Sequence, residues 1–302
     1  LLVGTNPRLE ATILNARIRK SYVKNKVDIF SIGDPGDLTY PYKVVGSNTS
    51  VIRDIASGVN PIAKKIKNTK KPIIIIGESA LLGKAGKYVF EQMKSFLYEN
   101  QFINKEWNAL NILPQQASTV GAIDLGIYSI NKNNNFSFFD KLDNEDFKFI
   151  YLLGADNINL KKGDKYIVYQ GSHGDKGAEL ADIVLPGAAY TEKEGMFINL
   201  EGKLQNAYKA SYPPGNARED WIIIKDIANE MKIPLDFSDI ESLRRFIKQD
   251  LTKRVDQDFN VNNTEIQFIE NNISVKKIDY YHTNSIARSS KVMNECRQIS
   301  KN

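Results

Sequence analysis

A chain of 302 residues, 42% apolar and 25% charged, has room for one large domain or two packed ones and the composition of an ordinary globular protein. Its net charge of +5 comes without an arginine-rich block or a basic–aromatic stripe, so nucleic acid is not an expected partner. With Cys296 as the only cysteine and His173 and His282 as the only histidines, an internal disulfide, a multi-cysteine zinc site and an iron–sulfur cluster held by this chain alone are excluded.

The chain opens on Leu1-Leu2-Val3, a run that reads as a buried strand. A start of that kind, with no signal or transit pattern, points to a processed chain, one part of a split protein or a fragment. The run stops at Gly4, and four further β-rich runs also stop at glycine. Val27–Ile32 ends at Gly33, Ile73–Ile76 at Gly77, Phe149–Leu153 at Gly154, and Tyr166–Gln170 at Gly171. Continuous apolar runs suit strands covered on both faces, as in parallel sheets. The second run alternates more and is expected nearer a sheet edge. None of these runs, Ile73–Ile76 included, approaches the roughly 20 residues a membrane helix needs, so no direct membrane insertion is expected.

Helical patterns fall between the strands. One runs from Arg8 to Tyr22, after a Gly4-Thr5-Asn6-Pro7 turn in which Asn6 can cap and Pro7 suits the first helical turn. Another covers Tyr88 to Leu97, with Val89, Met93, Phe96 and Leu97 on one side. Strand, glycine and helix in repetition predict an α/β fold: Rossmann-like parallel sheets with flanking helices. Asn131–Asn135 opens a polar stretch, near 131–146, that can link sub-domains. An α/β domain is expected over 1–235. The charged, weakly patterned residues 236–302 are expected to form a peripheral helical extension.

In such sheets, ligands lie at the carboxyl ends of strands. The turns at Gly4, Gly33, Gly77 and Gly154 are therefore where a phosphate-bearing cofactor would sit. The residues that follow argue against one. Glu78 follows Gly77, Asp34 and Asp37 follow Gly33, and Asp156 lies two residues after Gly154. Two like charges about 4 Å apart repel by on the order of 4 kcal/mol at an effective dielectric near 20. No complete G-x-G-x-x-G or P-loop lysine motif is present. The favoured reading is tight turns that close strands.

The densest motif runs from Gly171 to Gln205. Ile183–Leu185 reads as a short buried strand ended by Pro186-Gly187, and Gly195 and Gly202 bracket another strand and its turn. Glu192, Lys193 and Glu194 lie near no nucleophile or metal ligand set, so local ion pairing is their expected use. His173, in a Gly-Ser-His-Gly turn, is expected to be a hydrogen-bonded loop residue. Trp221–Ala228 follows the Pro213-Pro214-Gly215 turn as an amphipathic helix.

Ala181-Asp182-Ile183-Val184-Leu185-Pro186, Glu194-Gly195, Asn199-x-Glu201-Gly202-Lys203-x-Gln205 and Pro214-Gly215-x-Ala217-Arg218-x-Asp220-Trp221 together resemble the molybdopterin oxidoreductase superfamily. Within it, Gly4-Thr5-Asn6-Pro7-Arg8-Leu9, Asp37-Leu38-Thr39-Tyr40, Leu152-Leu153-Gly154-Ala155-Asp156 and Thr283-Asn284-Ser285-Ile286-Ala287-Arg288 are similar to the large iron–sulfur subunits of NADH:ubiquinone oxidoreductase, respiratory complex I.

That resemblance implies an architectural domain without catalytic residues, bound cofactor or metal. Gly4, Thr5, Asn6, Gly77 and Gly154 would be relict pterin-side turns. The iron–sulfur clusters would lie in a cysteine-rich N-terminal region absent from this sequence, or on a partner chain. Implied partners are that cluster-bearing region, the flavin-containing NADH-oxidising module and other peripheral-arm subunits. The implied location is the matrix side of the mitochondrial inner membrane, or else the cytoplasmic face of a bacterial plasma membrane. The alternative is the pterin-binding domain of a catalytic molybdenum enzyme of the formate dehydrogenase or nitrate reductase type. It would need a metal ligand outside this sequence and usually a C-terminal β-barrel, which the helical pattern after Gln205 disfavours.

Overall fold

A computed structural model of the chain describes residues 1–127, 147–255 and 267–301. The polar stretch near 131–146 lies outside the described residues. The chain forms two compact units, Leu1–Gln116 with Asp258–Ile278, and Ala117–Gln257 with Asp279–Asn302.

The first unit contains β1 (Leu2–Val3), α1 (Pro7–Glu10), α2 (Thr12–Asn25), β2 (Phe30–Ile32), β3 (Lys43–Gly46), α3 (Thr49–Ala56), α4 (Pro61–Lys67), β4 (Ile74–Gly77), α5 (Glu78–Leu81), α6 (Gly86–Glu99) and β5 (Leu110–Leu113). Its strands form one parallel sheet in the order β3-β2-β1-β4-β5. The order reverses between β1 and β4, which makes that junction the switch point where a ligand crevice opens.

Strand alternation sends neighbouring residues to opposite faces. Val3, Ile74 and Ile76 pack with Ile52 and Ile55 of α3 and Val89, Met93, Phe96 and Leu97 of α6. Leu2 and Ile75 pack on the other face with Leu38, Tyr40 and Leu113, against Leu14, Ile18 and Tyr22 of α2. Both faces are thus covered, which is why β1 and β4 are apolar without interruption.

The helix expected from Arg8 to Tyr22 is two helices, broken at Ala11, whose φ of −151° and ψ of 76° leave the helical region. Asn15 is buried in α2 because its amide donates to Leu38 O (3.1 Å) and accepts from the Tyr40 hydroxyl (2.8 Å). Burial pushes that Tyr40 hydroxyl up to about 12. The alternating run ending at Gly33 lies one strand in from the edge, because Lys43–Gly46, unmarked by any apolar run, pairs outside it.

Close approach fixes one glycine. A Cβ on Gly77 would lie 2.5 Å from Gly4 O and 2.6 Å from Thr5 Cβ. Gly77→Ala is therefore expected to destabilise the unit by about 2 kcal/mol through overpacking of backbone, read as a lower urea midpoint. An unchanged midpoint would mean that β1 and β4 can separate freely at this end.

The second unit contains α7 (Thr119–Asp124), β6 (Phe149–Leu153), β7 (Tyr166–Gly171), α8 (Lys176–Leu180), β8 (Ile183–Pro186), β9 (Gly195–Ile198), β10 (Leu204–Ala207), α9 (Asp220–Glu230), α10 (Ile240–Val255), α11 (Ser285–Ser289) and α12 (Lys291–Lys301). The parallel sheet β6-β7-β8 buries Ile150, Leu152, Ile167 and Tyr169 against Ala178 and Leu180. β9 and β10 form an antiparallel hairpin, the strand and turn that Gly195 and Gly202 bracket. β8 corrects the expectation of a buried strand: Ile183 and Val184 are 43% and 53% exposed. As an edge strand it pairs on one side only, and an apolar run does not distinguish that place from a central one.

The two units divide the chain elsewhere than near residue 235. Residues 236–255 stay with the second unit, where Arg244 of α10 is buried and lies 2.7 Å from Glu194. Part of the region expected to be peripheral instead returns to the first unit, where Ile273 is 3% exposed.

Candidate functional site

At the switch point of the first unit, Gly4, Thr5, Asn6 and Gly77 meet. Gly4 turns with φ of +55° and Gly33 with φ of +79°, conformations that glycine adopts without strain. Thr5 and Asn6 spend their polar groups within the protein. The Thr5 hydroxyl donates to Glu10 (3.1 Å), and the Asn6 backbone N–H donates to the same carboxylate (2.8 Å). The Asn6 side chain caps α1 by accepting from Leu9 N–H and donates to Pro35 O. Burial pushes the Glu10 carboxyl up, against those hydrogen bonds, and nearby Glu78 adds repulsion. Glu78 itself accepts the Gln115 N–H at 2.8 Å. Asp34 accepts from Gly36 N–H and the Tyr42 hydroxyl.

The space in front of these turns is filled by a late part of the chain. The Thr49 N–H donates to Asn271 O, and the Asn271 N–H to the Thr49 hydroxyl, both at 3.0 Å. The Ile273 N–H donates to Ser47 O (2.6 Å), and the Lys276 N–H to the Ser79 hydroxyl (3.1 Å). These bonds hold Ile273 as a plug. A Cβ on Gly4 would meet Ile273 Cγ2 at 3.1 Å, and one on Gly33 would meet Ile273 O at 2.6 Å. A dinucleotide needs backbone N–H groups at such turns open to its phosphates. Ile273 takes the place beside both glycines.

The second unit closes its strand ends by charge. Gly154 (φ +62°) ends β6, and space is open beside it. Two residues on, Asp156 pairs with Arg288 Nη2 at 2.6 Å, and Arg288 Nε reaches Asp175 at 2.6 Å. Asp175 also accepts the Lys176 N–H, starting α8. Burial pushes the Asp175 carboxyl up, but Arg288 and the Lys176 N–H outweigh it and hold the group below its ordinary value. Beside the latch, burial and then the charges of Asp156 and Asp175 push the Tyr169 hydroxyl up to about 12. That hydroxyl donates to His173 O, and the His173 ring lies 3.0 Å from the Ser172 hydroxyl, a loop histidine as expected. Gly154 belongs to a different unit from Gly4, Thr5, Asn6 and Gly77.

In the dense motif Lys193 and Glu194 are ion-paired, whereas Glu192 is hydrogen-bonded to backbone. Lys193 pairs with Asp220, and Glu194 with Arg244. Glu192 accepts the Ala189 N–H. Ile273 carried no signal in the sequence, since one isoleucine in a polar stretch is unremarkable. Arg288 stood in the run similar to complex I subunits, but its partners, 113 positions away for Asp175, are not legible from spacing. Among the described residues no group of three or more His, Cys, Asp or Glu is placed to hold a metal ion, and no helix is long and apolar enough to cross a membrane.

An open parallel sheet with its strand order reversing at glycine-tipped turns defines a doubly wound, Rossmann-like α/β fold. The chain belongs to the molybdopterin oxidoreductase family, whose pattern residues 1–230 match. It is 41% identical over an alignment of 313 positions to the NADH-ubiquinone oxidoreductase 75 kDa subunit of Reclinomonas americana, covering 100% of this chain and 45% of that protein. It is 36% identical to the mitochondrial NADH-ubiquinone oxidoreductase 78 kDa subunit of Candida albicans, covering 98% of this chain and 42% of that one. It is 33% identical to the mitochondrial NADH dehydrogenase [ubiquinone] iron-sulfur protein 1 of Solanum tuberosum, covering 100% and 41%. The chain thus spans less than half the length of these relatives.

Proposed function

We propose that this chain is a structural part of the large iron–sulfur subunit of respiratory complex I, and that it carries no redox centre of its own. It keeps the fold of a pterin enzyme and offers its surfaces to neighbouring peripheral-arm subunits. Those neighbours are the cluster-bearing cysteine-rich region, on the same or another polypeptide, and the flavin-containing module that oxidises NADH. The single observation that carries this reading is Ile273, which packs beside Gly4 and Gly33 at the strand ends where sheets of this kind bind ligands. The single cysteine agrees, since a cluster usually needs about four thiolates. Two of the relatives are named as mitochondrial, which supports a place on the matrix side of the inner membrane.

The test is affinity purification of the tagged chain from its native membranes, with metal and pterin analysis. The expected result is co-purification with cluster-bearing and flavin-bearing polypeptides, with iron but no molybdenum in proportion to the tagged chain. Stoichiometric molybdenum or pterin would overturn the proposal in favour of a catalytic molybdenum enzyme.

A further inference from the structure

The strands of the first unit's sheet are all parallel, so the segments that lead into them gather at one end, opposite the glycine-tipped turns. That end is strongly basic. Lys24 and Lys26 lie before β2, and Lys105 lies before β5. Lys64, Lys65, Lys67, Lys70 and Lys71 lie before β4. Every one of these side chains is exposed. Against these eight lysines, residues 24–28, 64–72 and 99–108 hold three carboxylates, Asp28, Glu99 and Glu106. The excess at this one end equals the net charge of the whole chain, +5. Helix C-termini favour cations, and Lys24, Lys64, Lys65 and Lys67 lie in the last turns of α2 and α4. Lys70, Lys71 and Lys105 lie beyond the helices, so the dipoles do not account for them.

The surface is unneutralised but ordered. Among the described residues, Lys65 alone of the eight has an ion pair, with Asp28 at 3.1 Å. Four of the ammonium groups rest on rings: Lys26 on Tyr22 (5.6 Å), Lys65 on Phe30 (5.1 Å), Lys67 on Phe96 (5.7 Å) and Lys71 on Trp107 (5.2 Å). Trp107 is itself fixed, because its Nε1–H donates to Pro72 O at 3.0 Å. A lysine already resting on a ring loses less side-chain freedom when it pairs. That advantage is realised against carboxylates that are fixed too, as on a folded protein. The headgroups of a fluid bilayer rearrange around any charge and gain little from it. Ile73 and Val27, 49% and 37% exposed, and partly buried Trp107 give the basic surface the mixed aromatic and apolar character of a protein interface.

From this we infer that this end of the sheet is the docking surface for the acidic face of a second, folded protein. Its Asp and Glu side chains pair with Lys64, Lys67, Lys70, Lys71 and Lys105. The inference rests on the chain's proposed place in an assembly, and its test separates the two.

Lysine amines are acetylated in the isolated full chain and in the native assembly recovered with the tagged chain, and each lysine is followed by mass spectrometry. Those five should react in the isolated chain and lose that reactivity in the assembly. They should regain it in about 1 M salt, where charges are screened beyond about 3 Å. A zero-length carbodiimide should join them to Asp or Glu of a second polypeptide. Lys67→Glu, Lys70→Glu and Lys71→Glu together should weaken retention of that polypeptide by about a hundredfold, since like charges then face each other. The three changes lie on exposed positions, and the matching arginine variant should retain it. Vesicles of equal parts phosphatidylcholine and phosphatidylserine are the competing probe. If cluster-bearing and flavin-bearing polypeptides co-purify while the five lysines stay reactive, the inference falls and the proposed role stands. A chain recovered alone overturns both. Protection without carboxylate links overturns the inference, and in favour of a membrane if the isolated chain binds the vesicles through these lysines.

Discussion

Ile273→Ala should lower the stability of the first unit by about 3 kcal/mol, the range for emptying a fully buried aliphatic site. Ile273 is 3% exposed and packs with the cluster that includes Val3, Ile32 and Ala80. Ile273→Asp should go further. An unpaired carboxylate does not stay in an apolar crevice, so the segment around it should leave. The measurement is hydrogen exchange at the amides of Thr49, Asn271, Ile273 and Lys276, which tie that segment to the crevice. In the aspartate variant these four should lose protection together, while Ile75 and Ile76 in β4 keep theirs. If Ile273→Ala unfolds at the same denaturant concentration as the parent, the residue is not a plug.

Arg288→Met is the second large effect. It leaves Asp156 and Asp175 facing each other without their shared cation, in a setting where Arg288 is only 15% exposed. Breaking such a pair by removing one partner is expected to destabilise by about 3 kcal/mol. The pH dependence follows from Asp175, whose folded value is depressed below 3.8. Its contribution is complete above that ordinary value and is lost as pH falls through the folded one. The parent should therefore weaken steeply below about pH 4, an ordinary carboxylate range. Arg288→Met should be weaker at neutral pH and flatter through that acid window. Urea midpoints from pH 7 to about 3 test this. Parallel acid limbs in the two proteins would mean that Arg288 does not set the acid response of Asp175.

The strands that stop at glycine were legible because a parallel sheet covered on both faces writes continuous apolar runs. Ile74–Ile76 and Tyr166–Gln170 lie where those runs place them. β3 was not legible, since Lys43-Val44-Val45-Gly46 is short, partly exposed and paired on one side. The acids after the glycines were visible, but only half of their meaning was. The sequence reading treats Asp156 as a repulsive charge, whereas folding pairs it with Arg288 from the far end of the chain. Ile273 was invisible for the same reason. Local pattern reports which face a residue belongs to, and neither the plug nor the latch is local.

The bond between Thr49 and Asn271 spans 222 positions. A ribosome therefore finishes the first unit's strands long before it makes the residue that seals them. At about 5–20 residues per second, the glycine-tipped crevice stays uncovered for roughly 10 to 30 seconds during synthesis. Contacts this distant along the chain form slowly and late. Chains cut short before residue 267 would keep an apolar notch open to solvent, a visible mark by which chaperones and proteases can tell unfinished molecules from complete ones.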